Sequence, residues 1–439
     1  MDYQELPQYN DKSPLSTKYD FCNNSDEEIN PEFLNDEPIK GVRTLPEIFS
    51  TTPPQLVPMA ITASSQEAAS SQEPVYKPSE KDIEVGVSRY SSIMGITCYM
   101  NVILHILQQL PIFSHYISEA GFRNVLARKF IKEKIPDTLT YELYRTFRQS
   151  LEFPNKQIIP TKLKTIVGKY NDMWNEHKQQ DAQEFFNFVI GKIEDEVCCK
   201  SKFISGNDFV SVSQDSNVHD LLKVISSQHQ WEQHQLRQFS PMKKIFDGML
   251  LTTKTCSVCG TSSNKFEPFT TLSLSIDAKS NNIDDCLAKM VEEEQMEECN
   301  KYLCDFCGVK NRSFTKTQIW KPPKILVIHL KRFSINDYGI PTGKITRKIE
   351  YPITNLSVEK FVDISSPFIK SASYDLTSVV LHQGFGGDGI NFGHYTALVK
   401  SISNHKWQLF NDDKPVEEQR FEEDIIHQNA YMLFYYRHD

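Results

Sequence analysis

Gly95-Ile96-Thr97-Cys98-Tyr99-Met100-Asn101 sets a cysteine where a helical run begins. From Tyr99 to Leu110 the apolar residues Tyr99, Val102, Ile103, Ile106, Leu107 and Leu110 follow helical spacing, and Pro111 ends the run. Thr97 or Ser92 is expected to cap the helix start. A thiol at that end meets the positive pole of the helix dipole, which favours the nucleophilic thiolate. Gly95 lets a substrate backbone approach, and backbone N–H groups at such a turn suit an oxyanion hole. Taken alone, a cysteine on an apolar helix is more often a packed core thiol, so Cys98 needs partners elsewhere in the chain to count as a nucleophile.

Such partners stand near the far end. Gly393-His394-Tyr395 opens a probable strand after the Gly-rich stretch Gly384-Phe385-Gly386-Gly387-Asp388-Gly389. Asn411 and Asp412 follow Trp407-Gln408-Leu409-Phe410, with Asn411 seventeen residues beyond His394. Two neighbouring strands joined by a turn would bring Asn411 or Asp412 beside His394, a base with a group to orient it. His382 is a second candidate base, but its strand-like flanks, Val379-Val380-Leu381 before and Gln383 after, favour a structural role.

Between these ends the pattern changes. A second amphipathic stretch starts near Gln180, with Ala182, Phe185, Phe186, Val189, Ile190 and Ile193 on one face. Residues 201–240 are polar and His/Gln-rich and read as an irregular insertion. Beyond Phe246, strand-like runs appear at Leu272–Ile276, Ile325–Leu330, Tyr395–Val399 and Tyr431–Tyr436. Helices first and strands later make the chain α+β.

Thr255-Cys256-Ser257-Val258-Cys259-Gly260 and Leu303-Cys304-Asp305-Phe306-Cys307-Gly308 are matched C-x-x-C-Gly knuckles, 44 residues apart. Four thiolates from two tight turns make a closed tetrahedral site suited to structural Zn²⁺. Redox dithiols and unmetallated cysteines are the competing readings. Ile283–Glu298, acidic and helix-like, lies between the knuckles.

The chain has 439 residues, 39% hydrophobic and 24% charged, with net charge −9. That balance offers no global basic field for nucleic acid. No apolar run is long enough to span a membrane, and the acidic start Met1-Asp2-Tyr3-Gln4-Glu5 lacks signal-peptide character. The expectation is an intracellular location, cytoplasm or nucleus, where the ten cysteines are thiols, metal ligands or catalysts. Residues 1–84, rich in Ser, Asp, Glu, Asn and Pro, read as a disordered acidic and polar tail that could carry partner motifs.

Several segments together resemble the ubiquitin-specific protease family. Gly95–Asn101 resembles its Cys box, and Gln179-Gln180-Asp181-Ala182-Gln183-Glu184-Phe185 its QQDAQEF element. Ile328-His329-Leu330-Lys331-Arg332-Phe333 resembles the strand before the His box, Tyr374–Lys400 the His box, and Trp407–Asp412 the last box. The order matches over residues 85–437. The resemblance implies a papain-like hand: a thumb over 85–200, zinc-ribbon fingers over 246–325, and a palm from 201–245 and 326–437. It implies a thiol-dependent deubiquitinase that cleaves after the C-terminal glycine of ubiquitin, with ubiquitin and ubiquitinated proteins as partners. Cys98 would be the nucleophile and His394 the general base, oriented by Asn411 with Asp412 assisting. Gln180, Asp181, Gly393 and Tyr395 would bind the ubiquitin tail, and Cys256, Cys259, Cys304 and Cys307 would hold Zn²⁺. The family usually carries Asn five residues before the nucleophile, as an oxyanion donor. Ile93 stands there instead. Two readings therefore stay open beside the enzyme: a weakly active or inactive ubiquitin-binding scaffold, and a papain-like protease of other specificity.

Overall fold

The strand-forming runs in the second half assemble into one eight-stranded sheet. Ile325 to Ile328 explain why it is buried on both faces. Ile325 and Val327 point into one hydrophobic cluster, while Leu326 and Ile328 point into another. Val379 and Val380 divide in the same way, as the two-residue period of a strand requires. A sheet with a core on each side reads as continuous apolar runs, and these runs do.

The chain is described here by a computed structural model covering residues 89–92, 96–117, 138–153, 156–176, 178–197, 216–237, 240–335, 341–368, 373–384 and 393–438. All of them belong to one compact unit, Tyr76–Asp439. The tail 1–84, Ile93, Gly95 and most of the Gly-rich stretch lie outside the described residues.

Helices α1 (Cys98–Gln109), α2 (Pro111–Ile117), α3 (Leu139–Glu152), α4 (Thr161–Tyr170) and α5 (Ala182–Val197) come first. Short strands β1 (Arg89–Tyr90) and β2 (Gln157–Ile158) pair beside them. Eleven of the twelve residues of α1 are buried, so this helix is a core rod whose only functional freedom is at its ends. Then follow α6 (Ser216–Arg237) and α7 (Pro241–Phe246).

The expected irregular segment at 201–240 is corrected: Ser216–Arg237 is a 22-residue helix. Polar residues dilute its periodicity, but Val224 and Trp231 pack on a third apolar cluster with Leu251, Phe266 and Trp320. Tertiary packing of a few anchors carries a helix whose pattern is weak.

Strands β3 (Gly248–Thr255), β4 (Ser262–Phe269), β6 (Glu294–Gln295) and β9 (Phe314–Lys321) form a four-stranded sheet, between whose strands lie β5 (Thr271–Ser275), helix α8 (Ile283–Met290) and the small pair β7 (Tyr302–Leu303) and β8 (Lys310–Asn311). Helix α8 starts at an Asn282–Asp285 capping box. It stops at Met290, short of the expected Glu298, because Glu292, Glu293 and Glu294 follow, where the dipole opposes acidic charge. Strands β10 (Ile325–Lys331), β11 (Phe333–Ile335), β12 (Pro341–Lys344), β13 (Leu356–Ser357), β14 (Ser373–Gln383), β15 (His394–Lys400), β16 (Trp407–Phe410), β17 (Glu417–Gln419) and β18 (Ala430–Arg437) complete the molecule. The large sheet runs β17-β16-β15-β14-β18-β10-β5, with β13 beside β14. Helix α1 packs on β15, which brings the Cys98 end of one to the His394 end of the other. No helix among the described residues is long and apolar enough to cross a membrane.

Candidate active site

Helix α1 begins at Cys98, with Thr97 at its N-cap position. The Thr97 carbonyl accepts from the Met100 and Asn101 amides, each at 3.0 Å. Neither expected cap forms. The Thr97 side chain makes no capping hydrogen bond, and the Ser92 hydroxyl donates instead to Asp412 Oδ1 at 2.8 Å. Cys98 is fully buried. Burial pushes its thiol up to about 11; a backbone hydrogen bond from Tyr395 opposes this, and the Asp412 charge adds to it. Desolvation is the largest influence on this thiol. A thiol held in this form needs a base to become a nucleophile.

His394 opens β15, and antiparallel β16 returns alongside it. Asn411, just past β16, places Oδ1 at 2.7 Å from His394 Nε2. An amide oxygen only accepts, so Nε2 carries the hydrogen, and Nδ1 keeps a lone pair able to take a proton. Asp412 Oδ2 lies 3.9 Å from the same Nε2. Asp412 adopts φ 47°, a left-handed conformation that Asp tolerates better than most residues. Its Oδ1 also accepts from Asn101 Nδ2 at 2.9 Å. One carboxylate therefore ties the turn after β16 to the helix that carries Cys98.

The Gln179–Phe185 element lies at the start of α5. Gln179 Oε1 accepts from the Gly393 amide at 3.0 Å. Gln180 Nε2 donates to the Met173 carbonyl at 3.0 Å. Asp181 is buried; its Oδ1 caps α5 by accepting from the Gln183 and Glu184 amides at 2.7 and 3.1 Å, and its Oδ2 accepts from the Tyr431 hydroxyl. The Tyr395 ring is buried against His382 and Tyr431, so toward Cys98 this residue presents its backbone. His382 is 1% exposed; burial first, then the Lys344 and His394 charges, hold its imidazole down to about 3. It is neutral and structural, as its flanks suggested.

The two knuckles, one between β3 and β4 and the other between β7 and β8, meet each other. The sulfurs of Cys256, Cys259, Cys304 and Cys307 all lie within 4.8 Å of one another. The Cys256–Cys307 and Cys259–Cys304 separations are both 3.8 Å, the edge of a tetrahedron with Zn–S bonds of about 2.3 Å. Gly260 and Gly308 have φ of 71° and 69°, which explains the glycine after each pair. Asn311 Nδ2 donates to Cys256 Sγ at 3.1 Å, and hydrogen bonding to Thr261 holds the Cys259 thiol down to about 6. Four sulfurs converging at tetrahedral spacing fit a divalent cation.

Sequence reasoning missed the tethering roles of Ser92, Asn101, Gln179 and Asn311. Asn101 and Gln179 stand inside the quoted boxes, but what they bond lies 311 and 214 residues away. For Ser92 and Asn311 the sequence carried no signal.

A nucleophile candidate at a helix end, an imidazole–amide pair on the adjoining strand and a four-cysteine ribbon define the class as a papain-like cysteine hydrolase. The profile of the family described as ubiquitin carboxyl-terminal hydrolase matches residues 92–435. Human ubiquitin carboxyl-terminal hydrolase 3 is 28% identical over 376 residues, covering 79% of this chain and 67% of that protein. Chicken ubiquitin carboxyl-terminal hydrolase 2 is 32% identical over 290 residues, covering 64% and 75%. The structure of the SAGA Ubp8/Sgf11/Sus1/Sgf73 DUB module bound to ubiquitin aldehyde superposes with TM-score 0.59 at 25% identity, covering 83% of this chain and 72% of that one. The chain belongs to the ubiquitin carboxyl-terminal hydrolase family, the cysteine-type ubiquitin-specific proteases.

Proposed function

We propose that the protein hydrolyses the isopeptide or peptide bond after the C-terminal glycine of ubiquitin, with Cys98 as nucleophile and His394 as general base. The observation that carries this is the 2.7 Å bond from His394 Nε2 to Asn411 Oδ1, on a strand whose Tyr395 backbone meets Cys98. His394 Nδ1 takes the thiol proton as Sγ attacks the glycine carbonyl carbon. The oxyanion is received by the backbone N–H groups of Cys98 and Tyr99 at the first turn of α1, for which the helix itself supplies no carbonyl. Collapse breaks the C–N bond, and the imidazolium protonates the departing lysine amine. Water, deprotonated by His394, then cleaves the thioester, and Cys98 recovers its proton.

Asn411 fixes the imidazole tautomer, and the Asp412 carboxylate supports the imidazolium from 3.9 Å. Gln180, Asp181, Gly393 and Tyr395 border the path of the ubiquitin tail. The four-cysteine cluster holds Zn²⁺ through Cys256, Cys259, Cys304 and Cys307. A site closed by four sulfurs would brace the ribbon and leave no open position for chemistry.

A ubiquitin C-terminal electrophile is expected to form an adduct on Cys98, and a ubiquitin amide to turn over. Both should vanish in Cys98→Ser, and turnover should fall in His394→Ala. Ubiquitin binding without adduct or turnover would instead support the scaffold reading that Ile93 suggests.

A further inference from the structure

Gly393 directly precedes His394 and is gripped from two sides. A Cβ added there would lie 2.1 Å from His382 Nε2, 2.6 Å from its Cε1 and 2.9 Å from the Gln383 carbonyl oxygen. The need for glycine is therefore steric: its Cα lies flush on the His382 ring. That ring cannot yield. It is wedged among Phe333, Tyr395 and Tyr431, with centroids 5.2, 4.6 and 6.1 Å away. Neither ring nitrogen has a hydrogen-bond partner, so His382 acts as a wall and binds nothing itself. The His382 carbonyl is pinned in turn by Lys344 Nζ at 2.6 Å. Gln179 closes the other side, its Oε1 accepting from the Gly393 amide at 3.0 Å. Gln179 is itself fixed, because its neighbours Gln180 and Asp181 are bonded to Met173 and Tyr431.

We infer that Gln179 is a positioning residue for the general base: it presses Gly393 onto the His382 wall and so sets where His394 starts its strand. This rests on the assignment of Cys98 and His394 above. The bond spans 214 residues and directly links the segment leading into α5 to the residue before the strand of the base. An imidazole displaced by about 1 Å loses roughly 10²-fold in rate, so one amide oxygen has kinetic weight beyond its own strength.

The test uses the full chain, without ubiquitin and then with it. Iodoacetamide labelling of Cys98, read peptide by peptide across pH, reports thiolate formation in the free enzyme. His394→Ala should move its inflexion to higher pH. Gln179→Leu should move it part of the way in the same direction and lower kcat on a ubiquitin amide roughly 10- to 100-fold, with KM little changed. Gln179→Glu keeps the accepting oxygen and should restore most of both. Gly393→Ala, with Gln179 intact, should lower kcat similarly by striking the wall.

If Gln179→Leu raises KM alone and leaves the labelling profile intact, Gln179 serves the substrate and the inference fails while the Cys98–His394 assignment stands. If His394→Ala leaves the profile unmoved, the base assignment fails and takes the inference with it.

Discussion

Asp412 acts in two directions at once. Its Oδ2 lies 3.9 Å from His394 Nε2, and its charge opposes a thiolate on Cys98. The nearer contact to the base is the neutral Asn411 amide. Division of labour follows: the amide sets orientation and the carboxylate sets charge balance. Asp412→Asn keeps an oxygen for Ser92 and Asn101 to donate to, so the turn should hold. In a His394→Ala background, where no imidazole contributes, this change removes one influence that raises the Cys98 thiol. The alkylation inflexion of Cys98 should then fall toward lower pH, because the Asp412 charge is one of the causes that raise this thiol. An unmoved inflexion would show that burial alone holds the thiol up.

Helix α1, helix α5 and the strands of the large sheet were legible because each buries a regular apolar face with its own period. Helix α6 was not, because between its anchors Val224 and Trp231 only Ile225 is apolar and the rest are Ser, Gln and His. The knuckles were legible because ligand spacing and glycine are local demands. Their neighbour Asn311 was invisible, since a single amide has meaning only once the fold brings it to sulfur. At this element the metal and its support can be tested separately. One Zn²⁺ per chain is expected, and stripping it should lower the melting temperature, since a structural ion contributes its binding energy to folding. Asn311→Ala removes the hydrogen bond to Cys256 and should weaken Zn²⁺ affinity by about 10- to 100-fold, read by competition with a chromogenic chelator. Unchanged affinity would mean that the sulfurs are held by their turns alone.

Across the molecule the helical part meets the smaller sheet at a polar junction that no local pattern announced. Glu194 of α5, His234 of α6, Lys243 of α7, and Asp247 and Thr270 beside the sheet line one cavity of about 470 Å³. Asp247 Oδ2 contacts His234 Nε2 at 2.6 Å, its Oδ1 accepts from Thr270 Oγ1 at 2.8 Å, and Lys243 Nζ donates to the His234 carbonyl at 2.9 Å. Glu194 Oε1 is buried without a partner. Burial, then the charge of Asp247, raises this carboxyl to about 7, against the pull of Lys243; Asp195 adds a small push. A carboxyl whose folded pKa exceeds its unfolded one binds its proton more tightly in the folded state. Its contribution to stability is complete below the unfolded value near 4.5 and is lost as pH rises through about 7. Glu194→Gln is neutral at every pH and should escape that loss. Discounted for its partial exposure, the effect is on the order of 1 kcal/mol. The variant should therefore melt with the parent at pH 5 and about 2 °C above it at pH 8. Melting curves that stay parallel between those pH values would mean that water reaches Glu194 freely and that the junction is held by its His234–Asp247 contact instead.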